Sequence, residues 1–173
     1  MKYFPHLYRL NAENRFMIWI SNEKSLVLAD AEGSVLTFAD LASVQAYADS
    51  THICLESEEP ELQDLDLVLA WTIAPHTPVD CSSVLNAWNL FGDVAKSVRT
   101  RGRLFQKLDR RIDSQHPGLY KKVFRGNNLV SLTPDGVHYV PEWLPEELAA
   151  LVELLSVGLE LLKPCVSRYP GTS

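Results

Sequence analysis

Any chemistry in this chain has to come from its histidines, cysteines, carboxylates and basic side chains, and their spacing limits what each can do. His52, Cys54, His76 and Cys81 make up a mixed nitrogen and sulfur set. Zinc ligands usually arrive in close pairs of the C-x2-C type. His52-x-Cys54 is a poor pair, because ligands two apart on a strand need a turn to converge. No metal site is expected. A Cys81 at a helix N-terminus would have a lowered thiol pKa and could serve as a nucleophile. There is, however, no G-x-S-x-G elbow and no papain-like context, and a half-buried thiol beside a helix cap is the simpler reading. Neither phosphate-cradling glycine motif is present. The residues therefore predict no catalytic set, no cofactor and no enzyme.

Charge is the uneven feature. From Glu56 to Asp66 there are six acidic residues and no basic one. A solvated loop is the ordinary reading of such a run. The sharper one is a docking surface that speeds encounter with a basic partner, with Glu58, Glu59, Glu61, Asp64 and Asp66 as its contact residues. Ten of the sixteen Lys and Arg residues fall between Lys96 and Arg125, opposed there only by Asp109 and Asp113. This stripe could hold a phosphate backbone, or be a solvated helix face that complements the acidic run. The net charge is −6, whereas domains that bind nucleic acid are usually basic overall. Nucleic acid is thus the secondary expectation, carried by segment 96–125.

A third set lies on one predicted helix. Val84, Trp88, Phe91, Ala95 and Val98 recur at helical spacing, and Leu85 and Val94 widen that stripe into a core-facing surface. Asn86, Asn89 and Asp93 fall on another face. They could form a binding patch, but the apolar flanks favour a row that locks neighbouring loops by hydrogen bonds.

The elements that must position these groups follow in chain order. Residues 16–20, 26–29 and 35–38 read as three short strands, with Gly33 in a tight return, and suggest an antiparallel meander. Asp40 can cap a helix carrying Leu41, Val44 and Ala48. Residues 52–55 resemble a fourth strand. Leu65 to Trp71 is too short and too apolar to assign by periodicity, so strand and helix stand equal. Asp80 or Ser82 can cap the helix that runs to about Val98. Gly102 marks a break, and Phe105, Leu108 and Ile112 continue a helical pattern. Pro117 can open a short helix with Leu119, Tyr120, Val123 and Phe124, and Gly126-Asn127-Asn128 ends it. Residues 130–132 could be an edge strand, and 133–136 a tight turn. Pro145, Glu146 and Glu147 open a final helix with Leu148, Leu151, Val152, Leu155, Leu159 and Leu162 on one face, ended by Pro164. The expected class is α+β in a single domain, 1–173: an N-terminal antiparallel sheet with one helix, then a largely helical half. Residues 1–73 are strand-rich, 80–163 helix-rich, and 168–173 a flexible tail.

At 173 residues, with 46% apolar and 22% charged side chains, the chain can bury a real core. Three widely spaced cysteines make a poor disulfide framework. No apolar run has the length of a signal peptide or a membrane span. The expected location is the cytoplasm, without membrane association.

Several strings together carry a family resemblance. They are Asp80-Cys81, Leu85 to Ala95, Lys122 to Leu129, and Thr133-Pro134-Asp135-Gly136 with Tyr139, Pro141 and Trp143; Asp30 to Gly33 leading to Phe38 adds to them. They resemble a bacterial family of small immunity proteins of contact-dependent growth inhibition and related polymorphic-toxin systems. Arg125 stands where that family often has an aromatic residue. The resemblance implies a non-catalytic protein that binds the C-terminal toxin domain of a delivered effector, often a nuclease, and occludes its active site. An adaptor or homo-oligomeric scaffold is a further class compatible with the composition.

Overall fold

A computed structural model of the chain describes residues 1–98, 100–133, 137–162 and 166–168. The N-terminus is a long hairpin: β1 (Lys2–Leu10) pairs antiparallel with β2 (Glu13–Ser21), from Lys2↔Ser21 to Leu10↔Glu13. Its turn residues, Asn11 and Ala12, both have positive φ, 55° and 59°. That geometry matches the twist of a two-residue hairpin, and in Ala12 it carries a steric cost of about 1–2 kcal/mol.

The sequence pattern did not reveal β1, because Pro5 and His6 interrupt it. Pro5 is tolerated because the outer side of β1 has no ladder there. Tyr3 bridges to Leu55 before it, and β5 (Leu62–Asp64) runs parallel to Leu7–Arg9 after it. With β3 (Leu26–Val27) on the far side, the sheet order is β3-β2-β1-β5. It is antiparallel except at β5. The meander over 16–38 holds through β3 and through the bridges Ala29↔Val35 and Phe16↔Phe38. A short parallel pair joins β4 (Val35–Thr37) to β6 (Val166–Arg168).

Among the described residues, six helices complete the α+β fold: α1 (Leu41–Ser50), α2 (Leu65–Ile73), α3 (Cys81–Ser97), α4 (Thr100–Gln115), α5 (Leu119–Gly126) and α6 (Pro145–Leu162). Asp40 caps α1 by accepting from the Ser43 N–H, and Asp80 caps α3 through the N–H groups of Ser82 and Ser83. The ambiguous Leu65–Trp71 stretch is helical, capped by Asp64.

Other expectations need correction. Only Leu55 of residues 52–55 bridges to a strand, and His52 sits at φ 59°. Residues 130–132 form turns. Pro117 precedes α5, whose N-cap is Gly118 at φ 88°. Gly102 lies within the first turns of α4. Arg168, expected in the tail, is the last residue of β6. Arg99, Pro134 to Gly136, Pro164 and residues 169–173 lie outside the described residues.

The sheet is covered on both faces. On one, Ile18, Phe38 and Val44 form a small core under α1. On the other, Tyr8, Met17 and Val27 join the main core, which is centred on α3. That helix packs against α2, α4, α5, α6 and β3. Its expected stripe is buried throughout: Val84, Trp88, Phe91, Ala95 and Val98 all lie in the core. Phe91 meets Phe105 edge-on at 6.3 Å between centroids and lies against Gly158, where a Cβ would collide with its ring. Truncating a ring so enclosed costs roughly 3–5 kcal/mol.

Candidate partner-binding cleft

The acidic run divides where the chain leaves and rejoins β1. The Glu56 N–H donates to the Tyr3 carbonyl at 2.8 Å, and pairing resumes at Leu62↔Leu7. Between these points the chain overhangs a cleft of about 510 Å³. Glu58, Glu59 and Glu61 form its rim. Phe4 and His6 of β1, Trp19 of β2, Gln63 of β5, and Asn86, Asn89 and Asp93 of α3 also line it. Fourteen residues line it in all; four are carboxylates and none is Lys or Arg.

Local structure explains this convergence. Phe4 and His6 alternate onto the α3-facing side of β1, and Phe4 lies opposite Trp19 in register, with their ring centroids 5.5 Å apart. Asn86, Asn89 and Asp93 share a helical face. The Trp19 indole N–H donates to Asp93 Oδ2 at 3.0 Å, while Asp93 Oδ1 accepts from Lys96 Nζ at 2.8 Å. Asn89 Oδ1 accepts from the Tyr120 hydroxyl at 3.0 Å. The locking role expected of the polar row thus describes Asn89 and Asp93, while Asn86 lines the cleft.

At the base, His6 Nε2 lies 3.0 Å from Gln63 Oε1. Burial pushes the His6 pKa below 6.5, against the opposing pull of the Gln63 hydrogen bond and the Asp93 charge. His6 is therefore neutral at pH 7. Among the described residues, the side-chain nitrogen of Gln63 is buried without a hydrogen-bond partner. Nearby Tyr8 is pushed up to about 12 by burial.

The five carboxylates expected at the docking surface separate into two groups. Glu58, Glu59 and Glu61 are exposed at the rim and form no ion pair among the described residues. Asp64 and Asp66 instead have partners within the fold. Asp64 pairs with Arg9 at 3.2 Å and accepts from the Asp66 N–H. Asp66 accepts from the N–H groups of Asn11 and Ala12, at 2.6 and 2.8 Å, and so holds the strained hairpin turn.

The basic segment is also divided. Lys96 pairs with Asp93, Arg111 with Glu153, and Lys122 with Glu147. Arg125 stacks over the Tyr139 ring at 4.3 Å. Arg101, Arg103, Lys107, Arg110 and Lys121 are exposed without ion pairs among the described residues, and Arg103, Lys107 and Arg110 form a stripe along α4.

Nothing in the sequence marks His6, Trp19 or Gln63 as site residues; they meet only through the pairing of β1 with β2 and β5. A second, smaller depression of about 170 Å³ was also missed. It is lined by Phe124, Leu129, Leu132 and Val137 beside Arg125 and Tyr139. Asn128, at φ 48°, closes the loop behind it by accepting from the Tyr139 N–H and donating to the Tyr139 carbonyl.

The metal and nucleophile candidates stay apart from this site. Among the described residues, no group of three or more His, Cys, Asp or Glu side chains could hold a metal ion. Cys81 is buried, and burial followed by the Asp80 charge pushes its thiol up, the reverse of an activated nucleophile. No helix among the described residues is long and apolar enough to cross a membrane.

No family model and no curated protein matches the chain. Among solved structures it is similar to the SatS C-terminal domain, crystallised in complex with bromine. The two are 14% identical, and the match covers 96% of this chain and 94% of that one with a TM-score of 0.46. At that level the likeness carries no argument.

Proposed function

We propose that this chain is a cytoplasmic immunity protein that acts by binding. It would neutralise a basic toxin domain, of the nuclease type, by docking its acidic rim over the toxin's active site. The observation that supports this most is the state of Glu58, Glu59 and Glu61. They are three adjacent, exposed carboxylates, unpaired within the fold, over a cleft that contains no cationic side chain. A protein gains nothing in stability from such an arrangement. Unpaired surface charge instead steers encounter with an oppositely charged partner. A nuclease active site, which must attract phosphates, presents such a surface. The resemblance of the Leu85–Ala95 and Lys122–Leu129 strings to immunity proteins points the same way.

The test is binding to the C-terminal domain of an effector encoded next to this chain. Changing Glu58, Glu59 and Glu61 together to Lys should slow association by at least about tenfold at low salt and flatten its salt dependence. Unchanged association would overturn the acidic-rim reading.

A second reading, a nucleic-acid-binding regulator or enzyme, draws on the unpaired stripe Arg103, Lys107 and Arg110. Filter binding of RNA and DNA at low and moderate salt tests it. No salt-sensitive retention would remove it.

A further inference from the structure

We propose that the cleft is an arginine-anchoring site, which takes one guanidinium group of a partner against the Phe4–Trp19 wall and beneath the glutamate rim. This rests on the reading that a basic protein domain docks here, and it names the group that fills the cleft.

Three observations carry it. First, the charge inside the cleft has one sign. Asp93 is compensated by Lys96, but the three rim glutamates are not, and His6 contributes no positive charge at pH 7. A cation is the complement. Second, one wall is aromatic and held in place. Trp19 is fixed by its hydrogen bond to Asp93 and its contact with Phe4. An immobilised indole beside carboxylates attracts cations to its face. Third, the cleft has unused hydrogen-bonding capacity. Among the described residues, the Gln63 amide has a buried group with no partner, and the Asn86 side chain forms no hydrogen bond. Amide oxygen and nitrogen exchange places by a simple flip, decided by the neighbouring hydrogen bond. A neutral His6 can accept at Nε2 from the Gln63 amide nitrogen. The amide oxygen then occupies the buried, unpartnered position, and it reaches a ligand only if the side chain turns toward the cleft.

Together these favour arginine over lysine. A guanidinium is planar, weakly hydrated and stacks on aromatic faces, and it carries five N–H donors in one plane for carboxylate and amide oxygens. An ammonium is compact and strongly hydrated, with three donors that cannot lie flat along the wall.

The test needs no knowledge of the partner. The full chain is titrated with L-argininamide, L-lysinamide and free L-arginine while the Trp19 indole N–H signal is followed by NMR, assigned through Trp19→Phe. L-argininamide should half-saturate the shift at about tenfold lower concentration than L-lysinamide. It should also outcompete free L-arginine, whose carboxylate the rim repels. The triple variant Glu58→Gln, Glu59→Gln, Glu61→Gln should weaken argininamide binding at least about fivefold without changing thermal unfolding. An unmoved Trp19 signal up to about 50 mM argininamide, or equal response to lysinamide, overturns the proposal. Equal response to free arginine overturns a partner's side chain as the source. If argininamide fails while rim charge reversal still slows toxin association, the anchor is wrong and the docking reading stands. If argininamide binds while reversal leaves toxin association unchanged, the docking reading falls, and with it the partner as the source of the arginine.

Discussion

The acidic segment 56–66 and the basic segment 96–125 are the chain's two concentrations of like charge, yet the fold treats them differently. The basic segment is stitched inward at Lys96, Arg111, Lys122 and Arg125, and its unpaired members are exposed on α4 and α5. The acidic segment is stitched inward at both ends, through Glu56 to Lys2 at one and through Asp64 and Asp66 at the other, while its middle overhangs a cleft lined by no Lys or Arg. Charge density alone therefore does not mark an interface. What distinguishes the two is whether the opposite charge has been supplied from within.

That contrast can be broken at its strongest point first. Lys122 lies between Glu147 and the Glu142 carbonyl, with the Trp143 ring 5.6 Å away. Its side chain is 23% exposed and that of Glu147 13%. Lys122→Ala takes the ion-pair partner from a partly buried carboxylate and should destabilise the fold by about 2–3 kcal/mol in urea unfolding. Asp66→Ala comes next. It deprives two backbone N–H groups of their acceptor in a turn that is already strained, and should cost about 1–2 kcal/mol, with Asp66→Asn recovering part of it.

The pH dependence has a definite sign at two groups. Burial alone would raise the Glu147 carboxyl, but the Leu144 N–H, Lys122 and His116 together outweigh it and hold it below 4.5. Its contribution is full above pH 4.5 and is lost as pH falls through the lowered value. His6, lowered from 6.5 by burial, is neutral in the fold and prefers to be charged when unfolded. It therefore adds a loss of stability as pH falls below 6.5, and His6→Asn should remove that part of the slope in thermal unfolding between pH 7 and 5. The smallest effect is expected at the rim. Glu58→Gln, Glu59→Gln and Glu61→Gln together should change stability by less than about 0.5 kcal/mol. A larger loss would mean that the rim is part of the fold's own structure after all.

Much of the architecture was legible wherever local periodicity and capping agree. Helix α3 was readable from Asp80, the Trp88–Phe91 stripe and the polar row, and α6 from Pro145 and its leucines. The hairpin strand β1 was not. A strand interrupted by Pro5 and His6 is recognisable only through the neighbours that pair with it, and those include residues 62–64, far along the chain. The cleft was half legible for the same reason. Its rim and the α3 row stood out as charge and spacing, but Phe4, His6, Trp19 and Gln63 become one site only through strand register.

The sequence by itself determined the α+β class, the buried faces of α3 and α6, the cap at Asp40, and the segregation of charge into two blocks. These follow from contacts a few residues apart. Only the tertiary structure decided which carboxylates are free. Asp66 reaches its two donors across 55 and 54 residues, and Asp64 reaches Arg9 across 55. Glu58, Glu59 and Glu61, on the overhang a few residues earlier, meet no such partner. Composition cannot separate these cases, because all five are carboxylates in one short acidic run, and what differs is the donor that folding brings to each.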